Sequence, residues 1–173
     1  YVEEADDPSQ KLYLPREGYD HLSKILTKQL QMYNEQFAVM NLVLFNQAME
    51  HVSRISRIID NPRGNAMLVG VGGSGRQSLT RLASYISGYS VFQVKLTSTY
   101  SMTDFKADLF TLYTRTGLKG EGVVFLFTDQ QIVDEKMLVY FNDLLSHTSL
   151  QLWLSSPTHQ PGFPVSKHSI TFH

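Results

Sequence analysis

The six residues Gly70-Val71-Gly72-Gly73-Ser74-Gly75 restrict this chain more than any other feature in it. Directly before them lies Ala66-Met67-Leu68-Val69, an apolar run of strand length bounded by turn residues. Directly after them, residues 76–87 carry Leu79, Leu82, Ala83 and Ile86 on one helical face, closed by Gly88. Glycines in such a loop allow positive φ and a close approach of backbone to ligand. The helix that follows points its unpaired N–H groups at whatever occupies the loop. The local unit must therefore be strand, glycine loop, helix.

The rest of the middle repeats that alternation. Ser90-Val91-Phe92-Gln93-Val94-Lys95-Leu96 alternates and is β-branched, which predicts a second strand over 90–96. Ser101 and Asp104 have the spacing of a capping box, and Met102, Phe105, Leu109 and Leu112 follow at helical steps to about Gly117. Val123-Val124-Phe125-Leu126-Phe127 is a third strand, and Asp134 can cap a last helix carrying Met137, Leu138, Phe141, Leu144 and Leu145. Such alternation implies an α/β fold with a parallel sheet. Two amphipathic helices are expected ahead of it. One carries Tyr19, Leu22, Leu26, Leu30 and Tyr33. The other runs over 35–60 with Phe37, Met40, Leu44, Ala48, Val52, Ile55 and Ile59, and is broken at 61–65, which contains Pro62 and Gly64.

Composition narrows the function. Across 173 residues there is no cysteine, which excludes a disulfide scaffold, a thiolate zinc site and a cysteine nucleophile. No apolar run approaches the roughly 18 residues of a membrane span, and the opening residues lack the layout of a secretory leader. The expectation is a soluble domain, or a piece of one, that binds neither membrane nor nucleic acid. Net charge is only −1, but residues 61–120 hold seven Lys/Arg against Asp104 and Asp108 alone. A basic middle favours an anion, or is ordinary surface variation.

The loop fits two motifs. Gly70-x-Gly72-x-x-Gly75 is a dinucleotide fingerprint, and Gly70-x-x-x-x-Gly75 before a basic residue is a variant P-loop. A dinucleotide site calls for an acid at the end of the second strand, and none occurs between Ile86 and Thr103. Lys95 there would suit at most a 2′-phosphate. A P-loop calls for a later apolar strand ending in Asp, and 123–127 followed by Thr128-Asp129 supplies it. The P-loop pattern is then departed from at three places. Arg76 stands at the phosphate-binding Lys and keeps the charge in a planar fork. Gln77 stands at the Mg²⁺-binding Ser/Thr, and Ser78 lies about 100° further round the helix. Gln130 stands where a Glu would polarise water, and an amide is a poor general base. These residues predict nucleotide binding with little or no hydrolysis.

With these residues in place, 70–83 resembles the P-loop of the fourth AAA+ module of axonemal dynein heavy chains. Phe125-Leu126-Phe127-Thr128-Asp129 resembles that module's second motif, and Val43-Leu44-Phe45, 54–58 and Lys95-Leu96-Thr97 are similar too. The resemblance covers about residues 10–146, and the Arg76-Gln77 pair makes it specific to this subfamily. It implies a P-loop AAA+ fold, three-layer α/β/α with a parallel sheet, here incomplete. It also implies a regulatory module of a minus-end-directed microtubule motor in the cytoplasm, cytoskeleton and axoneme of cilia and flagella. Partners would be the other AAA+ modules of the heavy chain and, through the full-length motor, dynein intermediate and light chains and microtubules. Carried over residue by residue, Gly70, Val71, Gly72, Gly73, Ser74 and Gly75 would wrap the phosphates of ATP or ADP. Arg76, Gln77 and Ser78 would lie near phosphate and metal, Asp129 would face Mg²⁺, and Gln130 would occupy the catalytic position, leaving no catalytic residue.

The resulting division is a lead-in over 1–18, a partial AAA+ module over 19–146 and an irregular, non-matching tail over 147–173. The tail would mark a C-terminal truncation, with three parallel strands where an AAA+ core has five. Residues 150–154 have the length and apolar content of a short strand. His147, His159, His168 and His173 have no metal-site spacing, and Trp153 reads as a packing residue. Two alternatives stay open: a ring-building piece that no longer binds nucleotide, and an NAD(P)-binding oxidoreductase domain.

Overall fold

A computed structural model describes residues 2–4, 11–13, 18–61, 64–146 and 169–172, with side-chain surroundings for 18–61 and 64–146. The elements in chain order are strands β1 (Val2–Glu4) and β2 (Lys11–Tyr13), helices α1 (Tyr19–Gln36) and α2 (Asn46–Asp60), and strand β3 (Asn65–Met67). They continue with α3 (Arg76–Ile86), β4 (Ser90–Phe92), α4 (Met102–Tyr113), β5 (Val123–Phe127), α5 (Met137–Ser146) and β6 (Ser169–Phe172). Strands β1 and β2 pair antiparallel by themselves. The other four form one parallel sheet in the order β3-β6-β5-β4.

Strand β5 organises the core, because all five of its residues are buried. Its period-2 alternation sends Val124 to a cluster built by Leu22 and Leu26 of α1, Val52, Ile55 and Ile59 of α2, and Leu79, Leu82 and Ala83 of α3. Val123, Phe125 and Phe127 join a different cluster with Phe105 and Leu109 of α4 and Met137 and Phe141 of α5. The rings of Phe127 and Phe141 sit 4.3 Å apart between centroids, and those of Phe125 and Phe141 5.9 Å. Burying one such side chain is worth roughly 1.5–3 kcal/mol, so these two clusters fix β5 and the residues that leave it.

Local signals explain the helix ends near the site. Helix α4 opens with the expected capping box, the Asp104 carboxylate accepting from the Ser101 backbone N–H at 2.9 Å and from its hydroxyl at 2.7 Å. Those bonds, the hydroxyl's first, hold the Asp104 carboxyl below its ordinary value. Gly88 ends α3 at φ +76°, with its N–H donating to Tyr85 O at 3.0 Å.

Several expectations are corrected. The helix anticipated over 35–60 is two elements, because 37–45 is non-helical between α1 and α2. Asn34 fixes the break: its carbonyl accepts from Met40 N–H at 2.8 Å and its amide donates to Met40 O at 3.3 Å. The apolar run Leu42-Val43-Leu44-Phe45 satisfies a helical template and a strand template equally, and burial here alternates as in an extended segment. The first two strands of the sheet are shorter than expected, 65–67 and 90–92. The tail is not irregular throughout: β6 is its end, and it sits inside the sheet, with Ile170 opposite both Asn65 and Phe125. Among the described residues the parallel sheet therefore has four strands, against the three expected. Ile170, Thr171 and Phe172 are strand-favouring types, but four residues are too few to show a period, and the pairing with β3 and β5 places them. The suggested strand at 150–154, Trp153, and His147, His159, His168 and His173 lie outside the described residues.

Candidate functional site

The glycine loop leaves β3 at Met67 and reaches α3 at Arg76. A turn closes within it, the Ser74 N–H donating to Val71 O at 3.3 Å. Gly73 at φ +76° and Gly75 at φ +75° occupy the left-handed region that favours glycine. Gly70 and Gly72 do not, so backbone conformation alone does not require glycine there. A Cβ on Gly70 would meet Ser74 Oγ at 3.4 Å and Arg76 Cδ at 3.7 Å, both ordinary contacts. Gly75 is the N-cap of α3 and has no side chain to cap it, and the first turn holds no acid. Helix geometry thus leaves the first-turn N–H groups unpaired within α3, at the positive end of its dipole. Leu42, from the segment before α2, closes one side, 3.6 Å from where a Gly75 Cβ would stand.

The three residues after the loop are committed differently. The Arg76 guanidinium bridges the strand exit and the loop, donating to Leu68 O at 3.2 Å and to Val71 O at 3.3 Å. Gln77 is exposed, and its Oε1 accepts from Gln93 Nε2 at 3.4 Å. Gln93 in turn accepts from Arg81 of α3 through its own oxygen. Ser78 is half-buried on the same turn.

The second motif lies at the same edge of the sheet, because β3, β6 and β5 are parallel and their carboxyl ends coincide. With β6 between them, β3 and β5 stand two strand spacings apart, about 10 Å. This edge is where open parallel sheets hold ligands. The residues following β5 form a one-turn 3-10 helix, Asp129–Gln131. Asp129 and Gln130 are exposed, with Asp129 Oδ1 accepting from the Gln130 N–H at 2.9 Å. Gln131 turns inward and is buried. Its Oε1 accepts from the Thr128 N–H at 2.8 Å and from the Thr128 hydroxyl at 3.1 Å, and its amide donates to Val94 O. Gln131 thereby fastens the turn that carries Asp129 and Gln130 to the segment after β4.

Leu42, Gln93 and Gln131 were not singled out by sequence. Gln131 could have been, since Thr128-x-x-Gln131 has capping-box spacing. Gln93 and Leu42 come to the site through tertiary contact only.

The donor set for a divalent metal is thin. Mg²⁺ takes oxygen ligands, usually one or two carboxylates plus phosphates and water. Asp129 offers one exposed carboxylate, and Gln77 offers only a neutral amide oxygen that already accepts from Gln93. No three His, Asp or Glu side chains converge among the described residues. The residues present therefore do not fit direct metal ligation from α3. Among the described residues, no helix is long and apolar enough to cross a membrane.

The family model described as P-loop containing dynein motor region D4 matches residues 40–155. The chain is 62% identical over 135 residues to the dynein beta chain of the flagellar outer arm from Chlamydomonas reinhardtii, covering 78% of this chain. It is 58% identical over 134 residues to the ciliary dynein beta chain of Heliocidaris crassispina, covering 78%. It is 49% identical over 146 residues to human dynein axonemal heavy chain 9, covering 84%. In each case the match spans 3% of the relative's own length.

Proposed function

The chain belongs to the dynein heavy-chain family, within the D4 region of its motor, and from that premise we propose that it is a nucleotide-binding regulatory part of an axonemal motor. The observation that carries this reading is the open N-terminus of α3, preceded by Gly73 and Gly75 at positive φ. Backbone N–H groups and the helix dipole there suit the phosphates of ATP or ADP. In this reading Gly70, Val71, Gly72, Gly73, Ser74 and Gly75 wrap the phosphates, and Arg76 exchanges its loop carbonyls for phosphate oxygens. Ser78 lies beside them, and Asp129 is the residue that would face Mg²⁺ through water.

Hydrolysis is the activity the residues do not support. Gln130 is exposed at the end of β5, where a base would have to act on water, and its amide takes up no proton at neutral pH. Losing general base catalysis alone removes about 10²–10⁴-fold in rate. The module then reports nucleotide occupancy rather than turning it over.

The sheet and its two core clusters support a partial AAA+ module of three layers over residues 19–146, to whose sheet β6 (Ser169–Phe172) adds one strand, with 1–18 leading into it. Within a whole heavy chain its neighbours would be the other AAA+ modules. The whole motor would carry intermediate and light chains and move along microtubules in the axoneme of cilia and flagella.

One observation favours the ring-building reading: the Arg76 guanidinium spans the loop, bonded to Leu68 O and Val71 O. Titration with a fluorescent ADP analogue separates the two. Saturable binding that unlabelled ADP displaces supports the nucleotide reading. Absence of saturable binding by a correctly folded chain leaves the scaffold role.

A further inference from the structure

We propose that Gln77 has turned the metal-binding position of this loop into a hydrogen-bond donor, so that nucleotide binds here nearly independently of Mg²⁺. The inference rests on the nucleotide-binding reading and goes beyond it.

The argument starts from Arg81. A guanidinium has only donors, so the Gln93 amide that faces it must present its oxygen. That orientation turns Gln93 Nε2 toward Gln77, and the bond at 3.4 Å requires Gln77 to answer with its own oxygen. The relay Arg81–Gln93–Gln77 therefore has one polarity, set by a guanidinium that can only donate. It holds the Gln77 oxygen toward the segment after β4, with one of its two lone pairs engaged there. The amide N–H₂, at the other end of the group, is left to an occupant of the loop; it suits a phosphate oxygen and is repelled by a cation.

Nothing nearby replaces the lost ligand. Asp129 is the one carboxylate on the turn after β5, and one of its oxygens accepts from Gln130 N–H at 2.9 Å. Ser78 lies about 100° further round α3 than Gln77. The phosphates are then held by loop N–H groups, Arg76 and the Gln77 amide, with the metal adding little.

The test is the affinity for ADP of the 173-residue chain, measured with millimolar Mg²⁺ and again in excess EDTA. The wild-type ratio is expected to stay below about threefold, against the roughly tenfold or more that residues supporting a metal site usually carry. Gln77→Thr provides a short hydroxyl that cannot reach Gln93, and should raise the Mg²⁺ dependence to about tenfold. Gln93→Leu frees the Gln77 oxygen and should raise it by a smaller factor. Gln77 is exposed, and urea midpoints report that each variant keeps its fold. A wild-type ratio as large as that of Gln77→Thr overturns the inference while leaving nucleotide binding intact. No saturable ADP binding by any of the three proteins, in either condition, overturns the nucleotide reading and this inference with it.

Discussion

Gln131→Ala should destabilise the chain more than any substitution at its exposed neighbours Asp129 and Gln130. Gln131 is 6% exposed and Thr128 5%. Truncation removes three hydrogen bonds at once, leaving the Thr128 N–H and hydroxyl and the Val94 carbonyl without this partner. A buried group left unsatisfied costs about 1–3 kcal/mol, and partial access of water to the smaller side chain tempers the sum. We expect a loss of about 3 kcal/mol, near the top of the usual range for one substitution. For a chain of this size that corresponds to a fall in Tm of roughly 6–12 °C. Urea unfolding followed by circular dichroism reads it directly. A cycle with Thr128→Val isolates the hydroxyl, with an expected coupling of about 1 kcal/mol. If Gln131→Ala unfolds at the wild-type urea concentration, the Gln131 bonds to Thr128 and Val94 do not hold the turn, and the positioning of Asp129 must come from elsewhere.

Two further outcomes follow from the loop and from α4. Gly75→Ala should cost about 1–2 kcal/mol, because Gly75 sits at φ +75° while Leu42 leaves room for the methyl group at 3.6 Å. Gly70→Ala, at ordinary φ and with contacts no closer than 3.4 Å, should change the urea midpoint by less than about 0.5 kcal/mol in free energy. Equal effects at both positions would contradict this backbone assignment. For Asp104, the hydrogen bonds from Ser101 lower the folded-state pKa, so the capping box stabilises above the unfolded value of 3.8 and fades as pH falls through the folded one. Thermal midpoints of wild type and Asp104→Asn should therefore differ at pH 6, with the gap closing as pH falls below 3.8 and through the lower folded-state value. A gap that is unchanged in acid would show that the carboxylate charge plays no part.

The parts of this fold with a local signal were legible from sequence. The fully apolar β5, the capping box at Ser101 and Asp104, the end of α3 at Gly88 and the strand–loop–helix at the site all rest on residues adjacent in the chain. The relay around Gln131 was half legible, since its spacing to Thr128 is a local pattern but its bond to Val94 is not. What was missed depends on pairing at long range. Strand β6 is placed by its pairing with Asn65–Met67 and Val124–Phe127, since its own four residues, though strand-favouring, are too few to show a period. The segment 37–45 satisfies two periodicities, and the Asn34 bonds to Met40 decide between them. At the site, the sequence placed Gln77 at the metal position, where its side chain has one oxygen. The structure gives that oxygen to Gln93, a residue sixteen positions away whose orientation is set by Arg81.

The central claim is that this site holds nucleotide without consuming it. It is tested most directly by saturating the folded chain with ATP, removing the free nucleotide and identifying what stays bound by chromatography over several hours. The account predicts near-stoichiometric occupancy, with the bound nucleotide recovered as ATP. Failure to retain nucleotide, or steady conversion to ADP with release of phosphate, would contradict it.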